Sequence, residues 1–265
     1  MGSQDHYALV TGASSGIGAA IARECARRGQ PLLLTARRED RLRDLAQSLQ
    51  PQVPVRWLAD DLADPGAPTR LQQWVVREGC SVGLLVNNAG YGLPGRFEAP
   101  AWSEHQRFLQ VMVTAVCELS YRFLPAMQAA GRGGILNVAS LAGLVPGSAG
   151  HTLYAAAKAF MIRFSESLAL ENRGRGIRVT ALCPGFTWSE FHDVTGTRGQ
   201  VSRLPRWMWM DADQVAREGF DALERGRVVH VPGRANRWIR ALTKHLPDRT
   251  ALALIQRRSR DFRKT

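Results

Sequence analysis

The chain has 265 residues, 45% of them hydrophobic and 22% charged, with a formal net charge of +12. That length suits one large α/β domain or two small ones, and no Pro/Gly/Ser-rich linker, repeat or low-complexity tract argues for two. No apolar run reaches the roughly 18 residues needed to span a bilayer.

The start, "MGSQDHYALV", lacks the basic-then-apolar build of a signal peptide, and His6 stands where myristoylation needs Ser or Thr. Its end is the first of seven short apolar runs. In chain order these are "YALVTG", "PLLLTARR", "VRWLADD", "VGLLVNNAG", "GILNVAS", "IRVTALCPG" and "RVVHVPG". They are near-continuous apolar segments, as strands covered on both faces should be. Between them, residues 17–29, 38–50, 103–131, 152–174 and 211–226 read as helices, with Gly29, Gly131, Gly174 and Gly226 at their ends. The alternation predicts an α/β fold: a doubly wound, Rossmann-type, seven-stranded parallel sheet with helices on both faces. Residues 1–235 are expected to form one domain, with a basic helical extension over 236–265. In such sheets ligands bind beyond the carboxyl ends of the strands.

"VTGASSGIG" follows the first strand and opens the first helix. Gly12, Gly16 and Gly18 would let the backbone turn sharply and approach a pyrophosphate at a helix N-terminus, although a glycine-rich turn can also be just a tight turn. The second strand ends at Ala36, followed by Arg37 and Arg38. An acid there would take a ribose 2′-hydroxyl, whereas an arginine accommodates a 2′-phosphate, so NADP(H) is the expected cofactor. The bland alternative is that both arginines begin an exposed helix. Further on, "TLYAAAKAF" places Tyr154 and Lys158 four apart, on one helix face.

Cys25, Cys80, Cys117 and Cys183 are scattered without a CxxC pair. No metal site or disulfide framework is expected, and a reducing, cytoplasmic setting is.

Five motifs stand in order: TGASSGIG, "NNAG" at 87–90, "NVAS" ending at Ser140, Tyr154 with Lys158, and "PGFTWS" from Pro184. Together they resemble the short-chain dehydrogenase/reductase family in its compact single-domain form, from about His6 to Gly233. The resemblance implies that Gly12, Ser14, Gly16, Ile17 and Gly18 line the pyrophosphate. Asp61 and Leu62 would flank the adenine, and Asn87, Ala89 and Gly90 would support its ribose and the sheet. Pro184, Gly185 and Thr187 would hold the nicotinamide amide, and Ser140, Tyr154 and Lys158 match the catalytic residues. An ammonium about 4 Å from the phenol contributes about 4 kcal/mol at an effective dielectric near 20, or about three pKa units. Aided by the charge of oxidised nicotinamide, that would bring Tyr154 to near neutrality, and Lys158 would also hold the nicotinamide ribose. The resemblance further implies a small-molecule carbonyl or alcohol substrate, and a homodimer or homotetramer paired through long central helices.

One position departs from the family. Met112 stands where an asparagine usually supports a water behind the lysine, and a thioether is a weak acceptor. This leaves open an alternative, a nucleotide-bound regulator or scaffold that has lost efficient turnover. The resemblance also implies a substrate lid around 186–210: Phe186, Trp188, Phe191, Trp207, Met208, Trp209 and Met210, with Leu93, Phe97, Leu141, Leu144 and Val145, could cover an apolar substrate or belong to core and interface. His151 could face substrate or simply pack. Residues 237–265 carry nine lysines and arginines against Asp248 and Asp261, interleaved with Trp238, Ile239, Leu242, Leu246, Leu254 and Ile255. Such a segment suits peripheral contact with an anionic membrane, or packing on its own dimer. No recognised nucleic-acid motif accompanies it, so no specific nucleic acid is expected.

Overall fold

A computed structural model of the chain describes residues 6–93, 95–150, 152–190, 205–247 and 249–253. The seven apolar runs become β1 (His6–Thr11), β2 (Leu32–Ala36), β3 (Val55–Ala59), β4 (Ser81–Asn87), β5 (Gly133–Val138), β6 (Ile177–Leu182) and, after two short strands, β9 (Val229–His230). They form one sheet in the order β3-β2-β1-β4-β5-β6-β9, with every neighbouring pair parallel. The short strands, β7 (Thr187–Trp188) and β8 (Met210–Asp211), pair with each other.

The helices are α1 (Gly16–Arg27), α2 (Glu39–Leu49), α3 (Ala67–Arg77), α4 (Trp102–Leu109), α5 (Ala115–Ala129), α6 (Thr152–Glu171), α7 (Ala212–Glu224) and α8 (Arg234–His245). Side chains alternate across the strands, which explains why the runs are apolar throughout. Ala8, Val10, Leu32 and Leu34 pack with Ile21, Leu42 and Phe220 of α1, α2 and α7. Leu9, Leu33 and Leu85 pack on the other face with Leu71, Leu119 and Leu168 of α3, α5 and α6. The chain leaves β1 toward β2 and β3, then returns to add β4 on the opposite side. The resulting crevice lies between the carboxyl ends of β1 and β4.

One segment differs from expectation. The single helix expected over 103–131 is interrupted by a π-helical turn at Gln110–Thr114, between α4 and α5. Such a turn accommodates one extra residue, and here it carries Met112, whose sulfur lies against Gly90. The expected division between 235 and 236 falls inside α8. Asn236 of that helix is buried and donates to the Pro232 carbonyl at 2.9 Å. Among the described residues, no helix is long and apolar enough to cross a membrane.

Candidate active site

The glycine turn is built by two strand ends stitched together. Thr11 Oγ1 donates to the Val86 carbonyl and accepts from the backbone N–H groups of Asn88 and Ala89, all within 3.1 Å. The Asn88 amide donates to the carbonyls of Thr11 (2.9 Å) and Gly12 (3.2 Å). Gly12 and Gly16 take left-handed φ values of 64° and 56°, which glycine alone adopts without penalty. Ser15 is the N-cap of α1, its hydroxyl caps none of the helix's backbone N–H groups, and no acid sits in the first turn. The positive end of the helix is thus left without a side-chain cap, as an anion site requires. Ile17 anchors the turn by packing on the core.

The other residues implied for the dinucleotide are spread around this turn. Asn87 is buried and donates to Asn137 Oδ1 (2.8 Å) and Ser120 Oγ (3.3 Å), while Asn137 donates to Ser165 Oγ (2.8 Å). Its amide thus serves the sheet. Asp61 pairs with Arg107 at 3.2 Å, and Leu62 is in the core. Arg37 is exposed, and its charge, with that of Arg107, reaches the Tyr91 phenol, which burial nonetheless pushes up. Arg38 turns toward the glycine loop: it donates to Ser15 Oγ at 2.6 Å and to Ser14 Oγ at 3.3 Å.

Ser140 follows β5 by two residues, as the N-cap of the Leu141–Gly143 turn, and α6 brings Tyr154 and Lys158 beneath the same crevice. The Leu141 N–H donates to the Pro184 carbonyl at 2.8 Å, tying the loop after β5 to the loop after β6. Gly143 lets the Leu141–Gly143 turn lie on α6, since a Cβ there would sit 2.6 Å from the Lys158 carbonyl carbon. This contact sets Ser140 beside Tyr154, with which its hydroxyl hydrogen-bonds. Lys158 is buried, donates to the Val138 carbonyl at 2.7 Å, and holds its Nζ 5.8 Å from the centre of the Tyr154 ring.

The electrostatics correct a sequence expectation. Burial pushes the Tyr154 phenol above its ordinary value, and the Ser140 bond pulls it back only in part. Burial also lowers Lys158 to about 8, because a desolvated ammonium is itself costly. On the protein's own groups alone, Lys158 does not bring the phenol near neutrality. Tyr154 is a protonated phenol at neutral pH, the form able to give a proton away.

Met112 is fully buried with Phe108 and Ala157, in a cluster that Tyr91, Leu93, Leu153 and Tyr154 complete. With the Val138 carbonyl serving Lys158, an amide at 112 would enter an apolar setting. Met112→Asn is expected to cost about 1–3 kcal/mol of stability. It should raise turnover by no more than severalfold, an effect well short of a full general acid–base contribution. Denaturant melts with steady-state rates check both; an inactive wild type revived by this substitution would show the opposite.

Pro184 is buried, and Thr187 Oγ1 donates to the Gly185 carbonyl at 3.1 Å. A Cβ at Gly185 would meet Asn236 of α8 at 2.3 Å, so the last helix braces this loop. Met208 and Trp209 are buried with Phe186 and Ile239, and Trp188 stacks on Trp209 at 4.1 Å. Trp207 is exposed, and Phe97 lies against His105. Leu141 and Leu144 pack on the core, and among the described residues of the expected apolar lining only Leu93 joins the Tyr154 cluster. His151 and Phe191 lie outside the described residues, as do Asp248 and residues 254–265. Thr11, Asn88 and Gly143 were missed by the sequence reading. Thr11 and Asn88 stand inside the quoted motifs TGASSGIG and NNAG, whereas no local signal marked Gly143.

The family described as short chain dehydrogenase matches residues 6–198. Sulfoacetaldehyde reductase of Chromohalobacter salexigens is 36% identical over 69% of this chain and 73% of that protein. A short-chain dehydrogenase from Sphingobium yanoikuyae, solved in complex with NADPH, superposes with a TM-score of 0.80 at 32% identity, covering 91% of this chain and 96% of that one. The bulky-bulky ketone specific alcohol dehydrogenase of Comamonas testosteroni gives 0.75 at 30% identity, over 92% and 96%. With the crevice, the glycine turn and the Ser140–Tyr154–Lys158 arrangement in place, the chain belongs to the short-chain dehydrogenase family of oxidoreductases.

Proposed function

We propose that this protein is an NADP(H)-dependent oxidoreductase acting on a largely apolar carbonyl or secondary alcohol. The observation that carries the reading is a buried Lys158 one helical turn from Tyr154, with Ser140 bonded to that tyrosine at the carboxyl edge of the sheet. The uncapped α1 terminus and the left-handed glycines fit a pyrophosphate, and Arg37 and Arg38 fit a 2′-phosphate.

When bound, the nicotinamide would exchange hydride with the substrate carbon. Tyr154 gives its phenolic proton to the substrate oxygen during reduction and takes it back during oxidation. Ser140 donates to that oxygen as charge develops. Lys158 holds the nicotinamide ribose and steadies the tyrosine after the proton leaves. Gly12, Ser14, Gly16, Ile17 and Gly18 line the pyrophosphate, Asp61 and Leu62 the adenine, and Ala89 and Gly90 its ribose. Pro184, Gly185 and Thr187 hold the carboxamide. Leu93 and Leu153 beside Tyr154, with Phe186, Trp188 and Trp209, support an apolar substrate. A protonated Tyr154 is the form that serves as the acid in reduction, and the NADPH of the Sphingobium relative and the bulky ketones of the Comamonas enzyme support a reductase reading. In this reading residues 1–235 form the catalytic unit, with 186–210 facing substrate and 236–265 as an extension.

Arg37→Ala and Arg38→Ala are each expected to weaken NADPH binding about tenfold, the loss of one charge-assisted contact at a part-exposed site, and to leave NADH unchanged. Nucleotide fluorescence titrations read both. Unchanged affinities in the two variants would remove NADP(H) from the proposal, and NADPH binding without turnover of any carbonyl would favour a regulator.

Two assemblies belong to the same proposal. Tyr121, Phe160 and Leu170 are exposed on α5 and α6, which suits a homodimer or homotetramer. The acid-free α8 exposes Trp238 and Leu242 among Arg234, Arg237 and Lys244, which suits peripheral contact with an anionic membrane. A monomeric mass by light scattering would reject the first, and failure to float with anionic vesicles at low salt would reject the second.

A further inference from the structure

Glu190 follows β7, about 150 residues along the chain from α2, yet its carboxylate reaches two arginines at the start of that helix. One oxygen accepts from Arg38 Nη1 at 2.9 Å, and the other pairs with Arg41. The remaining edge of the Arg38 guanidinium faces Ser14 and Ser15 of the glycine turn. The segment carrying Glu190 is laid on that turn, since a Cβ at Gly16 would meet Ser189 Cβ at 3.0 Å. A cleft of about 680 Å³ opens there, with Ser14, Ser15, Gly16, Arg41, Trp188 and Glu190 on its walls. It borders the glycine turn, and Tyr154 is not among its lining.

A carboxylate and a phosphate compete for the same N–H groups of a guanidinium. Glu190 and Arg38 are 38% and 40% exposed, so their bridge is held weakly enough for a stronger anion to replace it. The two arginines keep the Glu190 carboxyl below the ordinary range, Arg41 contributing most. It is therefore a full negative charge at neutral pH, standing where a second anion would arrive.

We propose that Glu190 is a specificity-determining residue that competes with the 2′-phosphate of NADP(H) for Arg38, and so limits how strongly the protein favours NADP(H) over NAD(H). The inference rests on the NADP(H) reading above and adds a residue on the far side of the cleft. The 2′-hydroxyl of NAD(H) carries no charge and does not enter this competition. With Glu190 in place, Arg38 and Arg41 offer an incoming phosphate one net positive charge, and without it two.

Calorimetric titration of the whole protein with adenosine 2′,5′-bisphosphate and with adenosine 5′-monophosphate isolates the one phosphate at issue. Glu190→Gln is expected to tighten the bisphosphate roughly three- to tenfold, the range of one to two part-exposed ion pairs. The monophosphate should change by less than about twofold, and adding Arg38→Ala should abolish the gain. Bisphosphate affinity that is unchanged or weaker in Glu190→Gln would overturn the proposal, as would equal tightening of both ligands or a gain that survives without Arg38. If the wild type does not distinguish the two nucleotides, the NADP(H) reading itself fails and this inference falls with it.

Discussion

Tyr154→Phe is expected to reduce carbonyl turnover by about 10²–10⁴-fold, the contribution of a positioned general acid. The ring stays, so the contacts with the Met112 cluster survive, and only the hydroxyl that bonds Ser140 is lost. Stability should change by about 1 kcal/mol or less, because the burial cost of the phenol disappears along with its hydrogen bond. NADPH should bind as in the wild type, since Lys158 keeps its bond to the Val138 carbonyl. Rates with the best substrate found in a carbonyl panel, paired with a cofactor titration, give the two readings. Near-normal turnover in a clean preparation would take the tyrosine out of the mechanism. Collapse of both turnover and cofactor binding would instead assign it a structural role.

The second large effect is expected from Gly18→Ala. A methyl group there would lie 2.3 Å from the Gly12 carbonyl oxygen and 2.4 Å from the Asn88 amide nitrogen. Neither neighbour can yield cheaply, because that amide already holds the carbonyls of Thr11 and Gly12. Relieving the overlap means opening the turn between β1 and α1, which should cost about 1–3 kcal/mol of stability. The same opening misplaces the N–H groups of α1, and NADPH affinity should fall by at least about tenfold, or some 1.4 kcal/mol. Gly147→Ala is the control, since its added methyl meets no atom within 4 Å and its backbone is not left-handed. A Gly18→Ala protein as stable and as tight for NADPH as that control would show that the turn is not the cofactor's seat.

Much of this site could be read from local residue patterns. The seven apolar runs predicted their strands because a strand covered on both faces has no polar side to show. The left-handed turns at Gly12 and Gly16 follow from a glycine's missing Cβ, and Tyr154 and Lys158 share a face because a helix repeats every 3.6 residues. Each rule acts over a few neighbours, so the order of residues by itself determined the alternating fold, the glycine turn and the tyrosine–lysine pair.

Tertiary structure decided what those pieces meet. Asn88 holds the turn from 77 residues away, Gly143 admits the Ser140 loop onto α6, and the carbonyl that serves Lys158 belongs to Val138 on another element. Backbone carbonyls are the same at every position, so no side-chain pattern announces the one that is used. The Tyr154 phenol shows the same limit: spacing placed a lysine on its helix face, but burial raises the phenol against the pull of the Ser140 bond, and burial is a property of the packed whole. The partners of Arg38 were settled in the same way, by a sheet order that brings Glu190 across to α2.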